Sequence, residues 1–173
     1  DKSTIRMFTF WNHYCDIDLS AGILSENYDL LGGINFNASK SPYGCHSGDI
    51  RNGTGGASEF IDIELSEVTK THPDARYVVL DLRMFSGPNF GAVGTCTAGW
   101  MMRDSVNSGE IFEPSTVIQQ VSILSETKNV IVCALDLKTK EILWIDAVSD
   151  KHGGSGSTIF SDKNSISNMI GAF

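Results

Sequence analysis

The stretch that decides the fold is GCHSGDIRNGTGGASEFIDIEL, residues 44–65. Its first part consists mainly of loop-forming residues and of residues that carry side-chain oxygens, and its glycines permit tight turns and close backbone approach. Its last part, Phe60–Leu65, alternates polar and apolar residues as a half-buried strand does. The sequence therefore predicts a loop that runs directly into a strand, a common way of placing functional side chains on a rigid support.

Side chains with oxygen atoms follow one another closely in this loop. They are Ser47, Asp49, Asn52, Thr54, Ser58 and Glu59. A hard cation such as Ca²⁺ takes about six to eight oxygen ligands, so the loop can curl its carboxylates and carbonyls around such an ion. The same composition also suits a long hairpin connection, because glycine and asparagine are common turn residues.

A second acidic segment lies upstream, in Asp16–Leu24. Its period of two places Asp16, Asp18 and Ser20 on one face of a strand and the apolar residues between them on the other. Two carboxylates on the same face repel each other, which costs stability unless a cation or hydrogen-bond donors lie between them. The alternative is an ordinary solvent-facing strand.

The remaining pattern predicts an all-β protein. About nine or ten short strands alternate with turn signals, which is typical of a two-sheet β-sandwich with a few short helices. Arg76–Phe85 is apolar on both faces and is expected to be a central strand. Gly33–Asn37 is expected to be the third strand, and Ser66–His72 a helical turn that is capped by Ser66 and ends before Pro73.

The pattern assigns residues 1–150 to the sandwich domain and residues 151–173 to a Gly/Ser linker and a short C-terminal helix. The spacing of Ile166, Met169, Ile170 and Phe173 is that of an amphipathic helix, which we expect to pack on the same domain.

Charge and composition exclude several classes of function. The chain has 13 basic and 21 acidic residues and a formal net charge of −8, which argues against nucleic-acid binding. No apolar run is long enough for a transmembrane segment. The four cysteines have no metal-binding spacing and are expected to be reduced thiols of a cytoplasmic protein.

One dipeptide, Cys45-His46, could suggest thiol catalysis. Neighbouring residues point to opposite sides of an extended chain, and no third group that would orient a base is evident. We therefore expect a protein that is not an enzyme.

The motifs taken in order resemble the TerD family of bacterial tellurite-resistance and stress-response proteins. The resemblance rests on DIDLSA at 16–21, HSGD at 46–49, the glycine-rich loop that closes on Glu59, IDIEL at 61–65 and NFG at 89–91. It covers roughly Thr4 to Val148. The segments FSGP and AGWM resemble the long form found at the ends of larger multidomain proteins, and the start at Asp1 fits such an excised or processed domain.

The resemblance implies a β-sandwich that binds calcium through the Asp-x-Asp strand and the acidic loop. The matching metal ligands are Asp16, Asp18, Asp49 and Glu59, helped by Asn52 and Thr54. Three positions depart from the family pattern, because Ile50 stands where asparagine is usual and Ala57 and Ser58 stand where two aspartates are usual. Fewer carboxylates predict weaker binding, of one or two calcium ions.

Two functions are therefore expected. The first is a non-enzymatic calcium-binding domain of a stress-response type protein, in which the ion joins the glycine-rich loop 44–59 to the Asp-x-Asp strand and prepares a surface for protein partners or other domains of the same chain. The alternative is a metal-free protein-interaction module of a larger multidomain protein, which the substitutions at Ile50, Ala57 and Ser58 favour.

Overall fold

The protein is a two-sheet antiparallel β-sandwich, as its sequence predicts. A computed structural model describes residues 3–148, which form eleven strands and one short α-helix besides two 3₁₀ turns. In chain order they are β1 Thr4–Trp11, β2 Asp16–Ser25, β3 Leu30–Ile34, β4 Lys40–Ser41, β5 Gly44–His46, β6 Ala57–Glu64, α1 Leu65–Thr71, β7 Ala75–Ser86, β8 Cys96–Arg103, β9 Val117–Ser122, β10 Asn129–Asp136 and β11 Ile142–Val148.

The strands divide into a six-stranded sheet, with the order β4-β5-β6-β1-β8-β9, and a five-stranded sheet, with the order β11-β10-β7-β2-β3. β7 is the central strand of the second sheet, which confirms the interpretation of Arg76–Phe85. β2 pairs with β7 along its whole length, but β3 pairs only with Ala21–Leu24. Within residues 3–148, the first part of β2 therefore has a free edge, and the candidate site lies at this edge.

The core fills the space between the sheets with alternate residues of each strand. Met7 and Trp11 of β1, together with Ile17 and Leu19 of β2, are fully buried there. Because the side-chain period of a strand is two, burying Ile17 and Leu19 directs Asp18 to the opposite face of its sheet. The expected faces of β2 are therefore correct, although the acidic face is buried and not open to solvent.

Two local predictions are wrong. The third strand ends at Ile34 because the Asn35 side chain accepts hydrogen bonds from the backbone N–H groups of Asn37 and Ala38, which turns the chain. The helix begins at Leu65 with Glu64 at its N-cap, and no side chain caps it; Ser66 instead donates to the Glu64 carboxylate. The predicted linker and C-terminal helix lie outside the described residues.

A buried ion pair fastens the outer face of the six-stranded sheet. The Arg6 guanidinium donates two hydrogen bonds to the Asp62 carboxylate, at 2.6 and 2.7 Å, and both side chains are almost completely buried. Arg6 also donates to the carbonyl oxygens of Ser108 and Glu110, so one charged group joins two neighbouring strands to the loop that covers them.

Removing one partner of this pair should be costly because the other charge stays buried and uncompensated. We expect Asp62→Asn to lower the free energy of unfolding by about 3–5 kcal/mol, measured by urea denaturation. The matched control is Glu67→Gln, which breaks the exposed pair with Lys70 and should cost less than about 1 kcal/mol. Equal losses in the two variants would contradict the structural role of the buried pair.

Candidate metal centre

Three carboxylates converge at the free edge of β2. Asp16 and Asp18 come from the strand and Asp49 from the glycine-rich loop, and one oxygen of each lies within 4.8 Å of the others. Asp16 and Asp18 are each only 6% exposed, and the Asp49 side chain is 22% exposed. The structure thus joins the two acidic segments that the sequence analysis singled out.

The loop reaches the strand because two side chains bind the backbone of Leu19, where β3 no longer covers β2. The Glu59 carboxylate accepts a hydrogen bond from the Leu19 N–H at 3.2 Å, and His46 Nε2 lies 3.2 Å from the Leu19 carbonyl oxygen. These contacts satisfy backbone groups that a neighbouring strand would otherwise pair.

Hydrogen bonds to both ring nitrogens orient His46. Nδ1 accepts from the Gly48 N–H at 3.0 Å, so the neutral ring carries its proton on Nε2, toward Leu19 and the Glu59 carboxylate at 3.4 Å. The second oxygen of Glu59 accepts from the Ile50 N–H at 2.8 Å. Glu59 therefore fastens the loop to β2 next to Asp49.

A close approach of backbone to an aromatic ring explains one glycine of the loop. A Cβ atom on Gly53 would lie 2.1 Å from Trp11 Nε1, so only glycine fits there without displacement. Trp11 is held in turn by a hydrogen bond from its indole N–H to the Cys15 carbonyl oxygen. The segment after Asp49 is thus seated on β1 as well as on β2.

The clustered acids disturb one another's ionisation. Burial, followed by the charges of Asp16, Glu59 and Asp49, raises the pKa of Asp18 to about 7, against a smaller opposing effect of Arg83. Burial, followed by the charges of Asp49 and Glu59, also raises the pKa of Asp16. A divalent cation among these groups would favour their ionised forms.

Two carboxylate oxygens in the cluster, Asp16 Oδ1 and Asp49 Oδ1, are buried and have no hydrogen-bond partner among the described residues. A buried acceptor without a donor is costly, and hard oxygen donors are what Ca²⁺ and Mg²⁺ bind. The residues present therefore fit a divalent cation, which Asp16, Asp18 and Asp49 would hold.

The other residues expected as ligands lie around this cluster. Glu59 is next to it, with its oxygens hydrogen-bonded to Leu19 and Ile50. The Asn52 side chain accepts from the Thr54 N–H, and both residues are exposed. Ala57 lies in the core, and Ser58 donates to the Thr9 carbonyl oxygen.

Sequence reasoning missed several residues at this site. Phe36 and Phe85 line a cleft beside the three acids, and Arg51 at its rim binds Asp49 Oδ2 at 2.9 Å. β2 pairs with β7, and this pairing places Arg83 opposite Asp18. A prediction of the pairing from the sequence would have located Arg83 and its neighbour Phe85. Nothing local in the sequence distinguishes Phe36.

No family model matches the chain, and no curated protein matches it. Within residues 3–148, the structure contains no helix with the length and hydrophobicity needed to cross a membrane. Fold and site together define a β-sandwich with a three-aspartate cluster, compatible with a metal-binding domain.

The raised pKa of Asp18 predicts an unusual dependence of stability on pH. Because the folded-state pKa, about 7, lies above the ordinary value of 3.8, the folded state holds the proton more tightly than the unfolded state. The contribution of Asp18 to the free energy of unfolding of cation-free protein should therefore decrease as pH rises from about 4 to about 7. At about 1.4 kcal/mol for each pKa unit, Asp18 contributes at most about 4 kcal/mol to this loss.

Urea denaturation in EDTA between pH 5 and pH 8 measures this dependence. Asp18→Asn imitates the protonated side chain and should flatten the profile, whereas the exposed Asp74→Asn should leave it unchanged. A wild-type profile that rises toward pH 8, or that Asp18→Asn does not alter, would contradict the assignment.

Proposed function

We propose that the protein is a non-enzymatic divalent-cation-binding domain whose ion is calcium. Asp16 and Asp18 of β2 and Asp49 of the glycine-rich loop hold the ion, which joins the loop to the strand. The observation that carries this proposal is the buried Asp16 Oδ1, which lies near two further carboxylates and has no hydrogen-bond partner within residues 3–148.

The choice of calcium rests on the donor set and on the resemblance to the TerD family. Carboxylate oxygens suit both calcium and magnesium, but magnesium demands near-ideal octahedral geometry and gives up its waters reluctantly. Loop and strand acids of this kind bind calcium in TerD-type proteins. On this proposal the chain is a cytoplasmic domain of a bacterial stress-response or tellurite-resistance type protein.

The surroundings of Cys45 and His46 support a binding function over thiol catalysis. Burial, followed by the charge of Asp62, raises the pKa of the Cys45 thiol, whereas nucleophilic cysteines have a lowered pKa. His46 turns both ring nitrogens to backbone groups of Leu19 and Gly48. The adjacent thiol and imidazole therefore do not form an activated pair.

Calcium should stabilise the protein because it binds the folded form. At a hundredfold excess over its Kd, an ion that binds only the folded state adds about 2.7 kcal/mol to the free energy of unfolding. We expect thermal melts of EDTA-stripped protein to show a rise in Tm of several degrees with millimolar calcium and a smaller rise with magnesium.

Substitutions at two of the proposed ligands, with one control substitution, test where the ion binds. Asp16→Asn combined with Asp18→Asn should abolish the calcium-dependent rise, and Asp74→Asn should retain it. The double variant removes two mutually repelling buried charges, so its metal-free stability should be equal to or higher than that of the wild type. Retention of the full calcium effect in the double variant would refute the proposed ligands.

A groove on the other side of the loop favours a second candidate function, a metal-free protein-interaction module. The groove has a volume of about 670 Å³ and is lined by apolar residues that include Phe10, Ile50, Ile111 and Phe112. Ile111 is 57% exposed and Phe112 38%, and exposed apolar clusters of this kind are typical of protein interfaces. Absence of any calcium effect on Tm would favour this function.

A further inference from the structure

The cleft beside the three aspartates is also lined by residues that cannot bind a cation as ligands. Its volume is about 180 Å³, and the rings of Phe36 and Phe85 line it together with Asp16, Asp18, Asp49 and Arg51. Phe85 is 58% exposed, and the Arg51 side chain is 80% exposed. Two phenyl rings and a guanidinium around an acidic floor indicate a site for a ligand in addition to the ion.

Oxygen counting shows that the protein leaves part of the ion's coordination open. Asp16 and Asp18 offer at most two oxygens each, and Asp49 offers one, because its Oδ2 binds Arg51. Glu59 uses both oxygens on backbone N–H groups. The described carboxylates thus supply at most five oxygens that no protein donor already binds, fewer than the roughly six to eight that calcium takes, so water or an added ligand can complete the coordination.

Charge decides what kind of ligand can enter. Without an ion, the three carboxylates in their ionised forms and Arg51 sum to −2, which repels anions. A divalent cation brings this sum to zero. Glu59 and Arg83 carry opposite charges nearby and leave this balance unchanged. An anionic oxygen can then bind both the cation and a guanidinium, a geometry in which charge-assisted hydrogen bonds are strong.

The aromatic lining and the small volume of the cleft favour an organic anion. Aromatic rings contribute by burying apolar surface, which inorganic anions do not offer. The cleft is smaller than the roughly 300–1,000 Å³ of typical drug-sized pockets, so it suits one carboxylate group on a single small apolar body. Asp16, which is 94% buried and has an unpartnered oxygen, faces the same cluster and is a group that the cation would bind.

We propose that the cation-loaded site binds a carboxylate ligand, whose oxygens complete the ion's coordination beside Arg51 and whose apolar body lies between Phe36 and Phe85. The inference rests on the proposed function, because the ion must bind first. The carboxylate can belong to a free small molecule or to an acidic side chain of a partner protein.

Isothermal titration calorimetry tests the proposal with two probes. Phenylacetate represents a free small carboxylate, and the blocked dipeptide acetyl-Phe-Glu-amide represents an acidic side chain of a protein. We expect at least one probe to bind the calcium-saturated protein and neither to bind in EDTA. Binding of one probe alone identifies the source of the carboxylate, and binding of neither in calcium refutes the proposal.

Variants at the rim separate this ligand from the ion. Arg51→Gln should weaken carboxylate binding about two- to fivefold, as expected for an exposed ion pair, and Phe85→Ala should weaken it without changing calcium affinity. Lys70→Gln, another exposed cation, is the matched control and should have no effect.

Benzylamine has the same phenyl ring as phenylacetate but carries a positive charge, so it tests whether the cleft binds an ammonium group instead of a carboxylate. Its binding to metal-free protein, with displacement by calcium, would overturn the proposal in favour of an ammonium site. A normal calcium-dependent rise in Tm without carboxylate binding would refute only this inference. Absence of the calcium effect would refute the proposed function and this inference together.

Discussion

Electrostatic repulsion among three aspartates is the constraint on which this end of the sandwich depends. Asp16 and Asp18 are buried on one strand, and Asp49 is brought against them by a loop. Such a cluster opposes folding unless its charge is neutralised by protons or by a cation. The surrounding structure holds the acids together nevertheless, through Glu59 and His46 on the backbone of β2 and through Gly53 on the Trp11 ring. Groups that are held together against their mutual repulsion are found mainly at functional sites.

The sheet edge explains why the site lies where it does. β3 stops short of Leu19, so the backbone of β2 needs partners that no strand provides. Side chains from β5 and β6 supply them, and the glycine-rich loop between these two strands is thereby drawn to the same edge. The early end of β3 and the acidic cluster are therefore linked. Because β3 does not pair with the first part of β2, there is room at this edge for the loop that carries Asp49.

Much of the fold could be predicted from the pattern of polar and apolar residues. The central position of Arg76–Phe85 follows from its apolar residues on both faces, and the period of two gives the faces of β2 correctly. The end of the third strand could not be predicted, because an asparagine side chain decides it through a local hydrogen bond. Asp16, Asp18 and Asp49 were identified from residue type, but Phe36, Phe85 and the contacts of His46 depend on packing between segments far apart in sequence.

The two sides of the glycine-rich loop have a consequence for regulation. Asp49 and Arg51 face the acidic cluster, while Ile50 between them lines the apolar groove on the other side. Because these three residues are consecutive, a ligand that repositions Asp49 also repositions Ile50. A cation that moved Asp49 would in this way couple the cluster to the groove, and linkage makes any such coupling reciprocal. A peptide in the groove would change the cation affinity by the same factor as the cation changes the affinity for the peptide.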